Sequence, residues 1–171
     1  GDIMPIDSLS LQTTPIILYK NSMAISQGTG FFFGYQDERV KCVFLVTNYH
    51  VLTGHSPTEK QEPLGDVITF QIHSSGDDPS QTKVYSRHLY TNGCPNWFVN
   101  HKCPEADLAI LALPGNSFDG IPRAFCSSKE YIDANLRIRP SSPITLIGYP
   151  YGYYDTKNNL PVWKTGNIAS E

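Results

Sequence analysis

Residues 28–47, GTGFFFGYQDERVKCVFLVT, constrain the fold of this chain more than any other stretch. Three phenylalanines are entered through Gly28 and Gly30 and left through Gly34. The polar DERV (37–40) follows, and KCVFLVT (41–47) returns as an apolar run. Aromatic and β-branched residues that reverse over a short polar turn read as a hairpin. The same kind of run recurs along the chain. IILYKNSMAI (16–25) reads as a strand, a Lys20-Asn21 turn and a second strand. DVITFQIH (66–73) sets Ile68, Phe70 and Ile72 against Val67, Thr69 and Gln71, the period of a half-buried strand. TKVYSRHLY (82–90) reads as the next strand, and TNGCPNWFVNHKCP (91–104) as an irregular excursion. ADLAILAL (106–113) is short enough to be a buried strand rather than a helix. PITLIGYP (143–150) and LPVWKTGNIAS (160–170) form a last pair around a Gly/Tyr/Asn-rich loop. Thirteen glycines and thirteen prolines punctuate these runs, so the pattern points to an all-β barrel or sandwich. One short helix is expected where Ser127 precedes Glu130 by three residues, a capping-box spacing.

Bulk composition narrows the function classes. A chain of 171 residues suits one domain or two small ones. The formal charge is −3 and no basic stripe is present, which argues against a nucleic-acid partner. No run approaches the roughly 18 apolar residues of a membrane span, so no membrane partner is expected. GDIMPIDSLS lacks the basic start and apolar run of a signal peptide, which favours a cytoplasmic setting with reduced thiols, or a secreted or periplasmic one if a signal peptide was removed.

The residues that carry chemistry are His50 and Asp107. His50 follows the apolar FLVT after the polar Thr47-Asn48-Tyr49, and Val51 and Leu52 resume the apolar run. Asp107 stands at the start of the most apolar strand, where a carboxylate is costly to desolvate unless it is hydrogen-bonded or opposed by charge. If the two strands meet at one rim, the carboxylate fixes the imidazole tautomer through Nδ1–H. Nε2 is then a general base. Either residue alone is more often a structural histidine or a turn aspartate.

Five segments change that balance: GTGFFFG, FLVTNYHVL, EADLAILAL, LIGYP and WKTGNIAS. Their order resembles that of trypsin-like serine proteases, most closely the bacterial HtrA-like branch, across residues 16–171. The resemblance implies that His50 is the base and Asp107 its orienter in a Ser-His-Asp triad. It implies a chymotrypsin-type double β-barrel, with the second barrel incomplete in this chain. An N-terminal arm would span 1–15, the first barrel 16–115, a linker with the short helix 116–142, and the first strands of the second barrel 143–171. The expected activity is serine endopeptidase cleavage of a protein or peptide substrate, without cofactor or metal. The chain lacks the Ile-Val-Gly-Gly start of vertebrate trypsins, and Val51 stands where they place a cysteine. A constitutively formed site, or one set by a regulatory partner, is therefore expected.

The nucleophile is the missing piece. The family serine sits in a G-x-S-G-x-P segment after the GNIAS strand, and no such segment occurs in the 171 residues. The expectation is that it lies beyond Glu171 and that the chain alone is inactive. A catalytically dead protease-fold module that binds peptides or partner proteins is the alternative. Ser117 in GNSFDG lacks the second glycine of a nucleophile elbow, and Ser170 ends a strand leading away from the site. Cys94, His101 and Cys103, with Cys126 in space, lack the paired spacing of structural zinc. The thiols read as free and packed, ahead of a Cys94–Cys103 disulfide. YPYGYYDTKNN (149–159) reads as a surface loop or a contact rim, and Arg137 and Arg139 as a solvated strand edge.

Overall fold

Strand β1 (Thr13–Lys20) is the strand on which the sheet is built. In the computed structural model, which describes residues 6–114, 125–151 and 153–169, it pairs antiparallel with two neighbours. Its whole length pairs with β2 (Met23–Gln36), and Ile17–Tyr19 pair with β4 (Val67–His73). The β1–β2 turn is Asn21-Ser22, both at positive φ (50° and 64°), as a two-residue type I′ hairpin requires. The turn therefore sits one residue later than the Lys20-Asn21 turn read from the sequence. Strand β3 (Lys41–Thr47) returns along β2 from a turn at Asp37–Val40, whose Asp37 carboxylate accepts the Arg39 and Val40 N–H groups.

Strand β5 (Thr82–His88) extends the far edge beside β4. The short β6 (Tyr90–Thr91) and β7 (Cys94–Pro95) make a small separate hairpin, and β8 (Ala109–Leu113) closes the near edge beside β3. The six-stranded order is β5-β4-β1-β2-β3-β8, antiparallel throughout. Its β4-β1-β2-β3 portion is a Greek key. A bulge helps it curl: Leu18 pairs with Ser26 but Tyr19 with Ala24, so Ile25 is the extra residue. Such an insertion bends the strand and raises its twist. The result is an all-β fold with a strongly curled six-stranded half-barrel.

The inner face of that curl is the core. Ile16, Leu18, Phe32, Leu45, Ile68, Phe70, Leu89 and Leu113 are each at most 1% exposed. On β4 the alternation read from the sequence holds, with Ile68, Phe70 and Ile72 buried. On β2 it needs correcting, because the glycines expected to bracket the phenylalanine strand lie inside one continuous 14-residue strand. They serve close approach instead of termination. A Cβ on Gly28 would stand 2.5 Å from Val51 Cγ2.

The described residues show this half-barrel and one further hairpin, and they do not show a double barrel. The hairpin is β9 (Pro143–Gly148) against β10 (Val162–Asn167). Tyr149 docks it on the sheet, and Trp163 on the short helix α1 (Ser8–Leu11) that precedes β1. The Tyr149 N–H donates to Thr29 Oγ1 (2.9 Å), its carbonyl accepts from Gln27, and Trp163 Nε1 donates to Ser10 Oγ (2.9 Å). The helix expected after Ser127 is only a 3-10 turn at Lys129–Tyr131, capped by Ser128. Ser127 is committed elsewhere: its N–H bonds Phe32 O and its carbonyl accepts the Gly34 N–H. Arg137 and Arg139 lie in exposed irregular chain, not on a strand edge. Among the described residues no helix is long and apolar enough to cross a membrane.

Candidate active site

His50 is carried by a single helical turn, α2 (Tyr49–Thr53), where the sequence suggested only a resumed apolar run. The turn forms because Asn48 supplies the extended N-cap backbone and Gly54, at φ 80°, supplies the left-handed C-cap. Val51 and Leu52 anchor it in the core. Strand β3 delivers α2 to the rim, and β8 pairs with β3 so that Thr47 faces Ala109. His50 lies three residues past Thr47, and Asp107 two residues before Ala109. Register alone therefore brings them to the same end of the sheet.

The contacts are specific. Oδ2 of Asp107 is 2.5 Å from His50 Nδ1, and Oδ1 accepts the His50 backbone N–H at 2.9 Å. Asn48 makes no capping bond with its own side chain; its Nδ2 donates to the Asp107 carbonyl at 2.8 Å. A carboxylate from the segment leading into β8 thus caps α2, while the N-cap residue reaches across to hold that segment. The sequence pointed to His50 and Asp107 but not to Asn48, whose only sign was its place in TNYH.

One part of the sequence argument does not hold. Asp107 was expected to need a partner because of its burial, yet its side chain is 38% exposed and that of His50 56%. Geometry, not desolvation, joins them. The Nδ1–H tautomer follows from the carboxylate beside it. Nε2 has no hydrogen-bond partner among the described residues and is open to accept a proton.

The close approach of β2 to α2 positions this histidine. Gly28→Ala would drive a methyl group into Val51, the residue after His50. The expected loss is about 1–3 kcal/mol, the range for overpacking, and urea unfolding monitored by tryptophan fluorescence measures it.

The other candidates are not gathered into a site. Among the described residues no group of three or more His, Cys, Asp or Glu side chains could hold a metal ion. The four cysteines are unbridged: Cys94 is exposed, Cys42 and Cys103 are partly covered, and only Cys126 is buried. Burial pushes the Cys126 thiol up to about 11, leaving it protonated and unreactive at neutral pH. Ser117 and Ser170 lie outside the described residues. No family model matches the chain and no curated protein matches it in sequence.

Proposed function

We propose that this chain carries the base and orienter of a trypsin-like serine endopeptidase. The observation that supports the reading is the two-point grip of the Asp107 carboxylate on His50, which leaves Nε2 free. In the proposed reaction, His50 Nε2 takes the proton of a serine hydroxyl as that oxygen attacks the scissile carbonyl of a protein or peptide. Asp107 keeps the ring in the Nδ1–H tautomer and stabilises the imidazolium. His50 then returns the proton to the leaving amine. The half-barrel would be the first of two chymotrypsin-type barrels, with the β9–β10 hairpin beginning the second. The order of the five sequence segments supports this arrangement.

The proposal places the nucleophile outside these 171 residues, since no G-x-S-G segment occurs among them. With neither serine nor oxyanion donors, whose removal alone costs about 10²–10³ in rate, the isolated chain should not turn over peptides. A second reading, a peptide- or partner-binding module on a dead protease fold, is favoured by one observation. No described hydroxyl or thiol lies within hydrogen-bond distance of Nε2. A fluorophosphonate probe, which labels only an activated serine, separates the two on the full-length gene product. Labelling that disappears in His50→Ala is the expected result, together with an unlabelled 171-residue chain. A full-length protein that never labels would leave only the binding module. Labelling that persists without His50 would remove the histidine from the mechanism.

A further inference from the structure

The β3–β8 ladder stops just short of the site. Its last pair is Thr47 with Ala109, and the same register carried on would set Asn48 against Leu108 and Tyr49 against Asp107. Neither backbone carries on. On one side the chain turns into α2, where the Val51 N–H bonds the Asn48 carbonyl. On the other, the Leu108 N–H folds back onto the Ala106 carbonyl at 2.8 Å, a three-residue turn centred on Asp107.

The Asp107 peptide group therefore lies outside the sheet. Among the described residues its carbonyl has one partner, Asn48 Nδ2 at 2.8 Å. A side chain thus supplies the cross-strand bond that the ladder no longer makes.

An N-cap asparagine usually turns its side-chain oxygen onto an N–H in the first turn of its own helix. Asp107 has taken that duty, because its Oδ1 accepts the His50 N–H. The exchange closes a ring of contacts. The Asn48 side chain holds the Asp107 main chain, and the Asp107 side chain holds the main chain two residues after Asn48. With the Asp107 main chain fixed against α2, the second carboxylate oxygen is aimed at His50 Nδ1. That aim needs support, since the Asp107 side chain is 38% exposed and water is an alternative partner.

We propose that Asn48 is a positioning residue, whose amide holds the Asp107 main chain so that the carboxylate keeps the His50 proton on Nδ1. Asn48 acts through Asp107 and not on the ring. It is an exposed residue, so its single bond contributes little to stability and much to direction.

Asn48→Ser in the 171-residue protein separates these roles. A serine hydroxyl is a good N-cap for α2, but it is one atom shorter than the asparagine amide and stops short of the Asp107 carbonyl. The ring nitrogen NMR shifts of His50, read where the imidazole is neutral, report its two tautomers. The unaltered chain should hold mainly the Nδ1–H form. In Asn48→Ser the ratio of Nδ1–H to Nε2–H should fall severalfold while the urea midpoint stays in place. Asn48→Thr, a second cap of the same reach, should behave alike and serves if the serine variant does not fold. An unchanged ratio in either folded variant would overturn the role, as would a ratio lost only in step with stability.

A kinetic readout rests on the endopeptidase reading, whereas the tautomer ratio does not. In that enzyme Asn48→Ser should lower kcat by about 10- to 100-fold with KM little changed, the cost of a misplaced base. A falling ratio in a full-length protein that no fluorophosphonate labels would keep the role of Asn48 and remove the endopeptidase reading.

Discussion

In the proposed endopeptidase, Asp107→Asn should leave the sheet folded and lower kcat by about 10⁴-fold, with KM little changed. The asparagine oxygen can still accept the His50 backbone N–H, so α2 keeps its cap from across the sheet. The amide nitrogen, however, would face Nδ1 as a donor where Oδ2 now stands at 2.5 Å. It selects the tautomer with the proton on Nε2, and the base loses the lone pair it needs. Unchanged urea unfolding with collapsed kcat would show that the carboxylate acts on the ring rather than on the fold. A kcat within tenfold of the unaltered enzyme would remove Asp107 from the proton-transfer machinery.

Phe70→Ala should destabilise the protein by about 3–5 kcal/mol, the range for emptying a buried aromatic site. Phe70 is fully buried on the inner face of β4, 6.1 Å from the ring of Phe32 and 5.9 Å from that of Tyr85. It touches both the hairpin side of the half-barrel, through β2, and the far edge, through β5. The two rings around it are held by two different strands, β2 and β5, so the cavity cannot close by a local shift. Domains of this size carry about 5–15 kcal/mol in total, so much of the stability would be lost. The urea midpoint should fall without a change in slope. A loss below about 1 kcal/mol would mean that the sheet relaxes to fill the space.

Much of the half-barrel was legible because its strands announce themselves by alternation and turns. The β2–β3 hairpin and β4 appear nearly as their patterns suggest. What escaped was set by tertiary contact. The glycines of β2 look like breaks until Val51 is seen pressing against Gly28. Ser127 has the spacing of a helix cap, yet its backbone is taken by Phe32 and Gly34 from another strand. The two titratable groups of the candidate site could be named from TNYH and ADLAIL, but their meeting depends on the β3–β8 register. Asn48 was invisible because it acts through a partner 59 residues along the chain.

The cap on α2 also has a consequence for the order in which the chain becomes competent. The turn bearing His50 is five residues long, too short to persist alone, and its cap comes from 57 residues downstream. As the polypeptide leaves the ribosome, β1, β2 and β3 can pair while the imidazole is still unaligned. Only when β8 has emerged and zipped onto β3 does the carboxylate arrive and the ring acquire its tautomer. The imidazole is thus aligned late in synthesis, by the same pairing that completes the sheet, and a nascent chain carries it unaligned.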